Sequence, residues 1–152
     1  MKRVVFLGLG IALTVLFLVL SYSDSFNIWE QMMYFNNGYN DSMYNTGMYK
    51  IVGWVTVIVP WVVAAIYYYV INSVKFDRWW HWLGVLAAVA VVTPVVCYIV
   101  NDTVFADAGL QFVGESIQFE IQTLLYAALM FVIASFSIRW WSTNCRHTPF
   151  PQ

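Results

Sequence analysis

Charge is scarce in this sequence. Only 10 % of its residues are Asp, Glu, Lys or Arg, where a soluble domain carries about 25 %. That deficit leaves too little polar surface for a water-soluble fold. The net charge is -1 and basic residues form no run, so the electrostatic footprint of a nucleic-acid-binding protein is missing. Cysteine is equally sparse. Cys97 lies inside an apolar stretch and Cys145 in the C-terminal tail, too far apart on the expected topology to form a disulfide. A zinc site and a Cys-x-x-Cys redox pair are excluded with it. His81 and His147 have no metal-ligand partner at helical spacing. There is no glycine-rich phosphate loop and no Ser, His and Asp set on one side of a membrane. These absences point to a non-enzymatic protein without metal or cofactor.

What is present is hydrophobic: 61 % of the 152 residues. Four apolar stretches stand out, at residues 4–20, 51–71, 82–100 and 117–138. Each approaches the roughly 20 residues that a helix needs to cross about 30 Å of hydrocarbon. The first follows Lys2 and Arg3, but its apolar run is too long for a cleaved signal peptide and no small-x-small site follows. It reads as a retained anchor. The expected fold is therefore all-α, a four-helix transmembrane bundle in a single membrane domain. Its outer loops are residues 21–50 and 101–116, its inner loop 72–81 and its tail 139–152.

Basic residues set the orientation, because loops rich in Lys and Arg stay in the cytoplasm during insertion. Lys2, Arg3, Lys75, Arg78, Arg139 and Arg146 fall on one side, and Lys50 alone falls on the other. Both termini are thus expected to be cytoplasmic, in the inner (plasma) membrane. Arg78-Trp79-Trp80 and Arg139-Trp140-Trp141 flank the third and fourth spans and read as interfacial anchors.

Small residues recur as Gly8 with Ala12, Gly84 with Ala88, and Ala127 with Ala134, which reads as faces for close helix packing. Homo-oligomerisation is compatible with the same pattern. Pro60 and Pro94 should kink the second and third spans. With this orientation Thr14, Thr56, Thr93, Gln122 and Thr123 fall in the outer half, and the inner half is nearly dry. The exceptions there are Ser135, Ser137 and Tyr67 to Tyr69, which should reach water at the cytoplasmic headgroups. A shallow cavity open to the outside is expected.

On the fourth span Glu115, Gln118, Gln122 and Tyr126 follow spacings of three, four and four, so they share one helix face as a polar stripe. Glu120 falls off that stripe and is expected at headgroup depth, hydrated. No ionisable residue falls at the bilayer centre, so the usual marker of proton relays is missing.

The first outer loop should open with a short amphipathic helix, because Asn27 and Glu30 resemble a capping box and Trp29, Met32 and Met33 would share a face. Beyond it Tyr34, Tyr39, Tyr44 and Tyr49 recur every five residues among Asn-Gly and Thr-Gly turns, a period of neither helix nor strand. Tyrosine among Asn, Ser and Gly is the composition of adaptable binding loops. Tyrosines anchoring the loop on lipid headgroups are the competing reading. Asn40 and Asn101 each begin a glycosylation-type triplet.

The functional expectation is a membrane protein that binds a protein partner on its outer (periplasmic) side. Tyr34, Tyr39, Tyr44, Tyr49, Glu115, Gln118, Gln122 and Tyr126 are the candidate contact residues. Immunity to a membrane-inserting toxin, or service as a subunit of an envelope complex, would use such a face. The alternative is a homo-oligomeric channel or small-solute carrier entered from the outer cavity.

Overall fold

The computed structural model describes residues 2–23, 26–33 and 36–149. Among them every regular element is helical. Four helical stretches are long and apolar enough to cross a membrane, namely Lys2–Tyr22, Met48–Ile71, Trp79–Asp107 and Val113–Trp141. We label the helices α1 (Lys2–Tyr22), α2 (Glu30–Met33), α3 (Asn37–Asn45), α4 (Met48–Ala65), α5 (Trp79–Asp107) and α6 (Val113–Ile138). A π-helical turn, Ile66–Ile71, continues α4, and a 3-10 turn, Arg139–Trp141, ends α6.

The helices pack unequally. α6 lies against α1, α4 and α5, while α4 also touches both α1 and α5. α4 and α6 thus form the inner pair, with α1 and α5 on opposite flanks. Burial follows from that layout. Half of the α6 span is buried against 17 % of the α1 span, so most of α1 is left to face lipid.

Glycine decides where α1 comes closest. A Cβ at Gly10 would overlap the Ser137 hydroxyl of α6, and one at Gly53 would come within 3.2 Å of Ser21. Ala127 and Ala134 are fully buried on α6, as their spacing suggests. Gly8 with Ala12 and Gly84 with Ala88 instead point outward. Spacing alone cannot tell a packed small-residue face from a lipid-facing one, since both are apolar.

α5 is longer than its apolar stretch. Its 29 residues span about 44 Å at 1.5 Å per residue, well beyond the hydrocarbon thickness. Residues 101–107, expected in the second outer loop, are its last two turns. Asn101 is therefore a fully buried helix residue and no acceptor for a glycan. Gly109, with φ +71°, lets the chain turn between α5 and α6.

At the other end the chain is latched. Asn72 adopts φ +30° after the π-turn, a left-handed conformation that Asn tolerates. Its Oδ1 accepts from the Ser142 hydroxyl (2.8 Å) and the Asn144 amide (2.9 Å), its Nδ2 donates to Thr143 (2.7 Å), and its carbonyl accepts from Asn144 Nδ2 (2.6 Å). The tail is thereby folded over the inner loop, and Cys145 is fully buried beneath it. Burial pushes the Cys145 thiol up.

Tyr67 and Tyr68 do not reach toward water as expected. Both are buried, donating to the carbonyls of Phe76 (2.6 Å) and Thr148 (3.4 Å). The π-turn rotates them inward, a backbone change that apolar periodicity does not signal.

Candidate functional site

The end of the bundle away from both termini carries the candidate site, and the loop between α1 and α4 builds it. Asn27 turns the chain after α1. Its Oδ1 accepts from the Trp29 amide (2.9 Å), and its Nδ2 donates to the Ser21 carbonyl (3.1 Å). This is half of the expected capping box, because Glu30 Oε2 accepts instead from the Tyr44 hydroxyl (2.8 Å). The turn drives Trp29 into the bundle, where it is fully buried. Its ring packs against Phe17 (5.9 Å), Phe119 (5.3 Å) and Tyr126 (4.9 Å). Most of this geometry is edge-to-face, the favoured arrangement of aromatic pairs.

Among the described residues the tyrosine repeat is helical, contrary to the expectation from its period, with Tyr39 and Tyr44 on α3 and Tyr49 on α4. Asn36 caps α3 by accepting from the Tyr39 amide (3.1 Å), and its Nδ2 donates to Glu115 Oε1 (3.0 Å). One asparagine thus starts the helix and ties it to α6. An asparagine ahead of Asn37 and Gly38 was the available signal for that cap. Five residues at about 3.6 per turn set Tyr39 and Tyr44 about 140° apart on α3, and the described tyrosines meet different fates.

Tyr39 is fully buried between Phe105, Phe112 and Phe119. Burial pushes its phenol up. Tyr49, also buried, donates to Asn40 Oδ1 (2.7 Å). Tyr44 remains 37 % exposed. Tyr34 and the side chains of Met32 and Met33 lie outside the described residues.

The polar stripe on α6 is largely occupied by the chain itself. Gln122 Nε2 (2.9 Å) and the Tyr126 hydroxyl (3.4 Å) both donate to the Ile28 carbonyl, while Glu115 holds Asn36. Only Gln118 faces fully outward. The residues expected to greet a partner therefore seat the protein's own cap. Among the described residues, the space between Ser21, Asn27, Met43 and Tyr49 is about 40 Å³, well below the size of a small-molecule pocket.

The cap turns a different set of side chains outward. Asp41, Tyr44 and Asn45 of α3, Asp102 and Asp107 at the end of α5, and Gln118 are exposed, beside half-buried Glu30 and Glu115. Lys50 is the one described basic residue at this end. The rim is acidic and displayed on ordered backbone.

Below the cap lies a polar cluster that sequence reasoning missed. Glu120, expected to be hydrated, is 8 % exposed, and Asn101 is fully buried beside it. Asn101 Nδ2 donates to Glu120 Oε1 (3.1 Å). Thr93, Cys97 and Asn101 line up four residues apart on α5, facing Thr123 of α6 and Thr56 of α4, all buried. The spacing was legible as one face of a helix. What was not legible was that this face meets Glu120, because the third span continues past its apolar stretch.

Two lateral grooves flank α5. One, of about 310 Å³, runs between α5 and α6 past Pro94, Tyr98, Ile117 and Glu120. The other, of about 480 Å³, lies between α4 and α5 and is lined by Tyr67, Phe76, Trp80, His81, Gly84 and Ala88. Toward the inner end Tyr68, Phe131, Ala134 and Trp82 close the interior, with Trp82 Nε1 donating to Ser135 Oγ (3.1 Å).

Among the described residues no group of His, Cys, Asp and Glu could hold a metal ion. No protein-family model matches this chain, nor does any curated protein or solved structure.

Proposed function

We propose that the protein is a non-enzymatic, four-span inner-membrane protein whose outer cap docks a protein partner. Both termini are cytoplasmic in this reading, since all basic residues but Lys50 lie at or beyond the end of the bundle opposite the cap. The short helix α2 and the amphipathic turn before it belong to that cap.

One observation carries the reading. The chain commits a buried Trp, two buried Tyr and two asparagine turns to holding a polar loop rigid outside the spans. A loop that merely joined α1 to α4 could be short and loose. A loop fixed from within, with acidic and tyrosine side chains left outside, is a preorganised surface, which lowers the ordering cost of association. Immunity to a membrane-inserting toxin, and service as an accessory subunit of an envelope complex, both call for such a platform. The contact residues are the exposed Asp41, Tyr44, Asp102, Asp107 and Gln118, with Glu115 at the rim. Tyr39 and Tyr49 support the surface from beneath.

Photo-crosslinking in native membranes tests this. A crosslinker placed at Tyr44 or Asp41 should capture one discrete protein band, and one at lipid-facing Val92 should capture none. Reversal of Asp41 to Lys should slow association, since rim charges act mainly on encounter rate. A band from Val92 with none from the cap would move recognition to the lipid-facing helices. A cysteine at position 41 should label with an impermeant reagent in intact cells, and one at position 75 should not.

A carrier remains the second reading, and the buried Glu120 with Asn101 favours it, as ionisable groups within spans commonly mark transport routes. Against it stand the occupied outer mouth and the closed inner half. Reconstituted protein should leave liposomes tight. Flux abolished by Glu120→Gln would make the carrier the better account.

A further inference from the structure

The cluster at the junction of α4, α5 and α6 contains an uneven pair. Asn101 Nδ2 donates to Glu120 Oε1, yet Glu120 Oε2 and Asn101 Oδ1 are both buried without a partner. Each group is satisfied at one atom and orphaned at the other. Both orphans are acceptors, and buried acceptors in native proteins are almost always paired. A single proton between them satisfies both acceptors at once.

We infer that Glu120 and Asn101 form a reversible proton-binding site in which a proton on Glu120 Oε2 is donated to Asn101 Oδ1. Together with the existing bond this closes an eight-membered carboxyl–amide ring. One proton then satisfies two orphaned acceptors and removes a buried charge. Exchanging the amide oxygen and nitrogen of Asn101 reproduces the same ring, with the proton on the other carboxyl oxygen. A metal cation fits less well, because hard cations gather about six or more oxygen ligands, and the two orphans here are complementary to a single hydrogen.

The surroundings contain no competing counter-charge. α5 presents the Cys97 thiol and α3 the Tyr39 phenol, groups that are ordinarily uncharged at neutral pH. α4 presents the Thr56 hydroxyl, and on α6 itself the Thr123 hydroxyl lies within reach of Glu120 but donates to the Phe119 carbonyl (3.3 Å), which leaves Glu120 Oε2 without a directed donor. Glu115, a turn and a half earlier, is engaged with Asn36. All basic residues but Lys50 lie at or beyond the other end of the bundle. The groove past Pro94 and Tyr98 reaches Glu120 from the side and is the shortest way in for exchange. The site adds to the docking role proposed above and does not depend on it.

Infrared difference spectroscopy of the full-length protein in nanodiscs tests the assignment. At neutral pH the wild type should show a protonated carboxyl C=O band that shifts in D2O and is absent in Glu120→Gln. In Asn101→Leu the band should move to higher frequency, as the ring is lost. Thermal melting supplies a second readout. Glutamine mimics the protonated side chain, its Nε2 replacing the O–H donor, so Glu120→Gln should fold and melt at or above the wild-type temperature. At neutral pH the folded site holds a proton that an unfolded carboxyl releases, so wild-type stability falls as pH rises. Its melting temperature should decline between about pH 5 and about pH 9 relative to Glu120→Gln. A carboxylate band at neutral pH that Glu120→Gln removes would overturn the proposal. So would a lower melting temperature for Glu120→Gln at every pH, or wild-type stability that rises with sodium.

Discussion

Trp29→Ala removes the single side chain that most firmly seats the outer cap. Trp29 is fully buried against Phe17, Phe119 and Tyr126. Truncating a buried Trp costs about 3–5 kcal/mol. Within a bilayer part of that figure fades, since lipid tails are as apolar as the core. Trp29 lies on the loop outside the spans, where the alternative environment is water, so most of it applies. One offset exists. The indole N–H is buried without a partner, and its removal returns about 1–3 kcal/mol. Taking the middle of each range, the net cost is about 2 kcal/mol, which at about 1.4 kcal/mol per tenfold raises the open population of the cap roughly 30-fold. Hydrogen exchange read at the α3 amides should accelerate by that factor, while the amides of α6 beyond Ala127 stay protected. Trp54→Ala, at a position 48 % exposed, is the control and should leave α3 unchanged. Protection of α3 within about threefold of wild type, a change of under 1 kcal/mol, would refute the view that the cap is held from beneath.

Two further substitutions separate support from contact. Tyr39→Phe deletes a buried hydroxyl that has no well-directed hydrogen bond, with Ser116 its nearest polar neighbour, so it should change stability by no more than about 1 kcal/mol in denaturant titration, and partner capture through Tyr44 should persist. Asn72→Ala removes three side-chain hydrogen bonds of the latch and a residue suited to φ +30°. At about 0.5–1.5 kcal/mol per bond the tail should loosen. The buried Cys145 thiol, slow toward maleimide in the wild type, should then react at least tenfold faster; an unchanged rate would place its protection elsewhere.

The four spans were legible because length and apolar content alone dictate them: in lipid the backbone must satisfy itself, and helices do so. Their ends were not. α5 runs on through Asn101, Asp102 and Thr103 because helix-compatible polar residues cost little above the bilayer, and hydropathy sees only the apolar part. That overrun hid the candidate proton site, since Asn101 was counted as loop and Glu120 as solvated. The tyrosine repeat was legible as a feature but not as a structure. Its interval of five sets Tyr39 and Tyr44 on different sides of α3, while Tyr49 falls on α4 with its ring against that of Tyr44, so the described tyrosines do not form one exposed surface. Asn36, Asn27 and Asn72 were the underrated residues. Each satisfies backbone or tail groups at a turn, and a single asparagine in a polar loop gives little warning of it.

Burial of the cap also changes what selection on this surface would look like. If Tyr39, Tyr49, Gln122 and Tyr126 hold the platform while Asp41, Tyr44, Asp102 and Gln118 meet the partner, the first set tolerates only shape-preserving changes. The second can vary as the partner varies. Rim charges alter encounter and discrimination at modest cost in stability, whereas the aromatic seat cannot be altered without loosening everything above it. Separating seat from rim allows specificity to be retuned without refolding the bundle. It also separates the rim from Glu120 and Asn101, which lie beneath the seat. A proton gained or lost there would act on the cap through Tyr39, which senses Glu120 and packs against Phe119. Trp29→Ala and Glu120→Gln should therefore be non-additive in α3 exchange if the site and the cap are mechanically joined. Additivity within about 0.5 kcal/mol would mark them as independent.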